Sequence, residues 1–258
     1  MPKLQFFILI FFIINNSFGQ HSNIITDRPG ETISAITITK KFLQGEAGYL
    51  KQVEKNANAS KDYYFKHPLF IIRYGLSHCI ELRAITEYAT RKEDNVNQDV
   101  RKTGITNVEL GAKVNFLKGA SVKPAISLIA HYSFHRLRTF YKDTIDGANI
   151  RLAFLHNFTE NFSLGYNAGI QWNWFDVLHL YTYTISPKFS FAERWGAFIE
   201  LYGFVWTDRT PENSIDGGLS FLINDNFKVD ALLGFGLTKP DPDKFFSIGA
   251  SYRFNTGK

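Results

Sequence analysis

Among 258 residues there is one cysteine, Cys79, so no intramolecular disulfide can staple the fold. Long apolar runs are lacking too. After the first twenty residues no stretch approaches the roughly 20 apolar residues of a membrane helix, and mean hydropathy is only −0.15. A bundle of membrane helices is thereby excluded. Charge of one sign is scarce in excess: 29 basic against 24 acidic residues give a net +5. The bases form no block, which leaves no footprint for nucleic acid. HExxH, phosphate-cradling glycine loops and cysteine-based metal motifs are missing. No cofactor or metal is expected on that ground. The seven histidines are mostly isolated and read as polar groups of loops or of an interior. Helical periodicity of any length is absent beyond the leader.

Aromatic residues are plentiful instead, at 16%, with 25 Phe and 12 Tyr, a composition that favours strands. The stretch FSLGYNAGIQWNW, Phe162 to Trp174, shows how they are arranged. Phe162, Leu164, Tyr166, Ile170, Trp172 and Trp174 alternate with Ser163, Gly165, Asn167, Gly169, Gln171 and Asn173. One strand face is apolar and the other polar. The same alternation predicts about twelve strands, near 42–54, 67–75, 80–89, 105–117, 124–136, 147–158, 162–174, 180–191, 195–206, 214–223, 227–237 and 245–254. About ten residues is the length a tilted strand needs to cross a bilayer.

A soluble barrel hides its apolar face, whereas a membrane barrel turns it outward. Three features favour the second. Connections one, three and five are long and polar, as in KNANASKDYYFK from Lys55 and RKEDNVNQDVRKTG from Arg91, while even-numbered ones are mostly tight. Long loops at one rim and short turns at the other mark an outer-membrane barrel. The polar face carries charges and many glycines, which suit a narrow lumen and weaken an exposed sheet. Tyr49, Tyr74, Tyr88, Tyr132, Tyr181, Trp172, Trp174, Trp195 and Phe254 cluster near strand ends on the apolar face, like an aromatic girdle. The fold class read from these features is all-β, a transmembrane antiparallel up-and-down barrel.

The ends of the chain fit that reading. MPKLQFFILIFFIINNSFGQ has a positive start, an apolar core too short to span comfortably, and small residues at Ser17 to Gly19. It reads as a secretory signal over 1–19, cut before Gln20, rather than as a membrane anchor. Residues 20–41 form a periplasmic or plug segment, in which Asp27 and Arg28 either pair with lumen charges or belong to a loose leader. The barrel spans 42–254 and a tail 255–258. The last strand, SIGASYRF, presents Ser247, Gly249, Tyr252 and Phe254. This resembles the C-terminal signal that bacterial outer-membrane barrels show to their insertion machinery, although Asn255 to Lys258 follow it.

Six stretches carry a wider resemblance: ITDRPGET from Ile25, LFIIRYGLSHCIELR from Leu69, VELGAKVNF from Val108, FTENFSLGYNAGIQW from Phe158, RWGAFIELYGF from Arg194 and DGGLSFLINDNFKVDALLGFGL from Asp216. Each is weak alone. In this order, from the mature N-terminus to near the end, they are similar to the outer-membrane barrels of the phenol-degradation meta-pathway (MetA) family. Its members in Bacteroidetes-type Gram-negative bacteria are called simply transporters. One departure is SAITITKK, where a Pro-containing lead-in to the first strand is expected. The resemblance implies an outer-membrane barrel and leaves the solute open.

On the polar face lie the acids Glu46, Glu81, Glu87, Glu109, Glu200 and Asp230 and the bases Arg83, Lys113, Arg151, Lys188, Lys228 and Arg253. Their near balance reads first as an internal ion-pair network, since buried charge must be paired, and second as a selectivity lining. Arg83, Glu109 and Lys113 are the expected centre. His131 and Ser133, two apart on one face, resemble the HxSNG pair of outer-membrane phospholipases and deacylases. Here they point inward, away from lipid, and Asn-Gly is replaced by Phe134-His135. The function expected is passage of a small solute, with aromatic or hydrophobic solutes among the candidates, through a non-enzymatic channel in the bacterial outer membrane. The alternatives are an acyl hydrolase using Ser133 and His131, and a closed structural or adhesive barrel acting through loops near 91–104 and 137–146. The lipid of the membrane and the insertion machinery are the expected partners.

Overall fold

The computed structural model describes residues 23–55, 61–95, 98–120, 123–140, 146–173, 179–239 and 242–257. The proposed signal, Trp174 and residues 141–145 of the fifth connection lie outside them. Twelve strands follow one another: β1 Phe42–Lys55, β2 Lys61–Gly75, β3 Ile80–Asn95, β4 Gln98–Ala120, β5 Lys123–Ser133, β6 Gly147–Asn157, β7 Phe162–Asn173, β8 His179–Phe191, β9 Trp195–Trp206, β10 Glu212–Asn224, β11 Phe227–Gly236 and β12 Lys244–Asn255. Each pairs antiparallel with the next, and β1 closes on β12 from Phe42↔Asn255 to Val53↔Lys244. In hydrocarbon an open edge would strand backbone groups at several kcal/mol each, so closure is obligatory.

The faces are inverted relative to a soluble protein. Leu233 is 66% exposed and Phe116 59%, whereas Arg73, Lys113, Glu46 and Glu81 are fully buried. In FSLGYNAGIQWNW the buried positions are Gly165 and Asn167. The apolar row therefore meets acyl chains and the polar row lines the interior. Rings contact one another along the outer wall near the rim that holds both chain ends, here called the terminal rim. Phe162 lies 5.1 Å from Phe189, Trp195 4.7 Å from Phe221, and Phe227 6.1 Å from Tyr252.

Two expected loops are strand. The segments expected as long polar connections extend β1–β2 to Lys55 and Lys61, and β3–β4 to Asn95 and Gln98, as ribbons continuing past the barrel wall. Hydrophobic alternation stops where the wall leaves hydrocarbon, but backbone pairing does not need it. Cross-strand charge pairs such as Arg91–Asp62 at 3.1 Å take over from apolar contacts. Much of the 91–104 stretch thus belongs to a ribbon rather than a loop. The other rim, here the loop rim, still carries the longest connection, between β5 and β6, with a short 3-10 turn at His135–Leu137.

A cationic side chain on the outer wall at mid-height should be poorly tolerated. Leu110→Arg is expected to lower unfolding free energy by about 2–4 kcal/mol, read by urea titration of the protein refolded in lipid vesicles. Leu110→Ile should be close to neutral.

Candidate functional site in the barrel lumen

The interior is filled by residues 24–38 of the N-terminal segment. The Ile24 N–H donates to the Asp225 carbonyl in the β10–β11 turn at 2.8 Å, and the Lys41 N–H donates to the Gly75 carbonyl at 2.8 Å. The segment therefore enters and leaves at the terminal rim and loops through the lumen between. It has no strand partner, so the wall's side chains satisfy its buried backbone groups. Glu46 accepts from the N–H groups of Asp27 and Arg28, each at 3.0 Å. Glu200 on β9 accepts from Glu31 and Thr32 at 2.6 and 2.7 Å. Asn167 on β7 imitates a strand partner. It takes the Ile33 N–H at 2.7 Å and donates to the Ile33 carbonyl at 3.0 Å. Asn115 and Ser127 donate to the Ala35 carbonyl, and Glu81 receives the Ile38 N–H at 2.9 Å.

At the centre sits Asp27. Its Oδ2 is 2.6 Å from Arg83 Nη1, 3.5 Å from Arg73 Nε and 3.5 Å from Lys113 Nζ. Glu81 Oε1 lies 2.7 Å from Arg73 and Arg83, and Glu46 lies 2.9 Å from Arg73. Three cations thus face three carboxylates out of water. Burial opposes ionisation of Asp27, but Arg73, Lys113 and Arg83 outweigh it and hold its carboxyl well below the usual range.

Arg28 reaches the other wall, pairing with Asp230 at 3.1 Å and donating to Ser247 at 2.9 Å. Its guanidinium lies against Gly48 and Gly249, where a Cβ would come within 1.9 and 2.5 Å of it. Glycine is required there because the plug backbone and the wall leave no other room for the planar group.

The remaining charges named from sequence face inward but are distributed differently. Glu109 is not at the centre. It accepts from Ser133 Oγ at 3.0 Å and lies 3.4 Å from His131 Nδ1. His131 Nε2 in turn accepts from Arg83 Nε at 3.0 Å, which fixes the neutral tautomer with its proton toward Glu109. Glu87 pairs with Lys66 at 2.8 Å. Arg151 donates to the Glu31 carbonyl at 3.4 Å, Lys228 to Thr26 at 3.1 Å, and Arg253 to Asn226 at 3.0 Å. Lys188 follows Ser186 on the inner face toward the terminal rim. Ser133 and His131 each serve other partners, so the arrangement of nucleophile and base is not made.

Arg73 escaped the sequence reading although it touches all three central carboxylates. FIIRYG places Ile71 on the inner face and Ile72 on the outer one, so the alternation is blurred. Tyr74 in the outer girdle was the available signal, because its neighbour must then point inward. Gln44, whose Nε2 donates to the Ile25 carbonyl at 2.9 Å, escaped along with Asn115, Ser127 and Asn167 because uncharged polar groups on an inner face look like filler.

Above the plug, toward the loop rim, lies a cavity of about 320 Å³ lined by Gln52, Glu54, Asp62, Tyr64, Lys66, Arg91 and Pro242. The β5–β6 connection leans over this mouth. Phe140 is buried edge-on to Tyr64 at 6.2 Å, and its N–H donates to the Ile105 carbonyl at 3.0 Å. Two inner patches are apolar: Ala125, Ile129, Ala153 and Leu155 pack against Ile33, Ala35 and Ile36 of the plug, and Tyr202, Leu232 and Phe245 pack with Leu50, Phe198 and Phe204.

A closed, even-stranded barrel with an apolar wall and a charged, plugged interior defines an outer-membrane β-barrel. The chain belongs to the family described as "Putative MetA-pathway of phenol degradation", which matches residues 26–254. Among solved structures it is similar to the COG4313 outer membrane channel from Pseudomonas putida F1, with a TM-score of 0.68, 11% identity, and 88% of this chain and 99% of that one covered. It is also similar to the KdgM porin, at TM-score 0.53, 15% identity and coverages of 81% and 99%. The transport unit of the autotransporter AIDA-I from Escherichia coli gives 0.52, 11%, 84% and 91%. At such identities the likeness is one of fold. No curated protein sequence matches.

Removing the central carboxylate leaves cations buried without their partner. Asp27→Asn is expected to destabilise the folded barrel by about 3–5 kcal/mol and to expose the N-terminal segment to added protease, read by urea unfolding and by limited proteolysis in detergent.

Proposed function

We propose that this barrel is a channel for small solutes, held shut at mid-height by residues 24–38. The observation that carries the reading is the plug itself. A lumen wide enough to admit a folded-back chain segment is wide enough for a solute once that segment moves. Its hold combines ion pairs and hydrogen bonds with one small apolar contact, Ile33, Ala35 and Ile36 against β5 and β6, and water entering the lumen can compete for the polar part. The apolar inner patch around Tyr202, Leu232 and Phe245 supports solutes with an aromatic or hydrophobic body, as does the family's description. The charged residues elsewhere on the inner wall serve as solute-facing lining only after the plug leaves them. A hydrolytic role is disfavoured, since Ser133 donates to Glu109 instead of to His131. In the same reading β12 is the strand shown to the insertion machinery, with Tyr252 and Phe254 half-buried or exposed on the outer wall.

Conductance in planar bilayers tests the channel. The wild type should show small or rare openings. A deletion of residues 24–38 should give steady openings several-fold larger, and vesicles carrying it should take up phenol faster than a sugar of similar mass. A plug-deleted barrel that folds but never conducts would favour the closed structural alternative. Ser133→Ala should alter neither conductance nor phospholipid content.

A further inference from the structure

The outer wall bears its positive charge on one side. At the loop rim, Lys244, Val53, Tyr63, Lys92 and Arg101 are successive cross-strand partners on β12, β1, β2, β3 and β4. One row nearer mid-height come Phe246, Lys51, Phe65 and Thr90. Residues directly opposite in a sheet share a face, so these bases all emerge from the same outer surface. Lys244 and Lys92 are three strand intervals apart, about 14 Å. Neither row contains an acid.

The ammonium groups also converge. Lys51 Nζ sits 5.4 Å from the Tyr63 ring centre and 5.7 Å from that of Phe65, and Lys92 Nζ sits 5.8 Å from Phe65. Two cations gathered on one ring, without a carboxylate in their rows, make an anion-shaped environment. Beside them a groove of about 330 Å³ runs along the wall, lined by Val53, Leu233, Phe235 and Phe246 with Lys51 and Lys244 at its lip. Lys51 lies eight residues beyond Leu43, where the outer face of β1 begins. At ordinary strand rise and tilt that is about 20 Å along the membrane normal, near the upper edge of the roughly 25 Å apolar belt. Elsewhere on the loop rim the outward strand positions among the described residues include Tyr132, Trp172, Tyr181, Val205 and Ile215, all uncharged.

We propose that this face binds a phosphorylated glycolipid of the outer leaflet, lipid A. Its phosphates take Lys51, Lys92 and Lys244, with Arg101 at the flank, and one acyl chain lies in the groove. Charge-assisted contacts of lysine with phosphate supply the head-group recognition. The lysine stems lie along the aromatic wall and present their heads at the interface. A cationic cluster at head-group height joined to an apolar channel directed into hydrocarbon matches a molecule with an anionic head and a buried tail. A soluble anion would leave the groove unfilled.

The full-length protein in detergent, titrated with diphosphoryl lipid A and followed by native mass spectrometry, tests this. The wild type should retain the lipid. The triple variant Lys51→Gln, Lys92→Gln, Lys244→Gln should lose at least about tenfold in affinity, and the corresponding triple arginine variant should keep it. Lipid A stripped of both phosphates should bind wild type and triple variant equally weakly. Should the triple glutamine variant not insert, Lys92→Gln and Lys244→Gln singly should each cost about fivefold. Undiminished binding by the glutamine variants, binding of the phosphate-free lipid to the wild type as tight as that of the diphosphoryl form, or complete displacement by equimolar inorganic pyrophosphate would overturn the proposal.

Discussion

The interior of this barrel is governed by the cost of leaving a charge unpaired away from water. Arg73, Arg83 and Lys113 are buried on three consecutive strands of one wall, and Glu46 and Glu81 alone would leave them one negative charge short. Asp27 supplies it from the N-terminal segment. The plug is therefore part of the electrostatic structure of the wall, and the wall's side chains are in turn the hydrogen-bond partners of the plug's backbone. Neither is satisfied without the other.

That mutual dependence accounts for the chemistry of the remaining inner positions. Asn167, Asn115 and Ser127 are short groups placed to meet a backbone carbonyl or N–H that has no strand to pair with. Gly48 and Gly249 are bare because Arg28 must pass close to reach Asp230. The lumen is consequently polar over most of its wall, with apolar patches where Ile33, Ala35 and Ile36 of the plug meet β5 and β6 and around Tyr202 and Phe245 on β9 and β12. In the proposed channel a solute would meet both surfaces once the N-terminal segment moved aside.

The outer surface follows a different rule. Its side chains meet hydrocarbon over most of the wall and form ring pairs near the terminal rim. At the loop rim the wall changes character around its circumference, uncharged at Tyr132, Trp172, Tyr181, Val205 and Ile215 and basic over β12 to β4. Strands in that basic arc also run on past the wall as paired ribbons, held by contacts such as Arg91 with Asp62. The site within and the patch without thus occupy the same arc of strands, on opposite faces of a single layer.

Alternation in segments such as FSLGYNAGIQWNW was enough to give the strand number, the antiparallel order and the inward face of the charges named from it, because a two-residue period admits only two directions for a side chain. The polar, rigid ITDRP stretch ahead of the first strand marked Asp27 and Arg28 as candidates for the interior or for a loose leader. Strand ends at the loop rim were not legible, since the hydrophobic signal ends with the membrane while hydrogen bonding continues. Nor was Arg73, masked by adjacent isoleucines on opposite faces. Which charges meet was decided only in three dimensions. Register and barrel closure bring β1, β2, β3 and β4 side chains to one level, and a chain that folds back through the lumen puts Asp27 there. Periodicity along a strand holds no information about that convergence, so Glu109, expected at the centre, stands beside His131 instead.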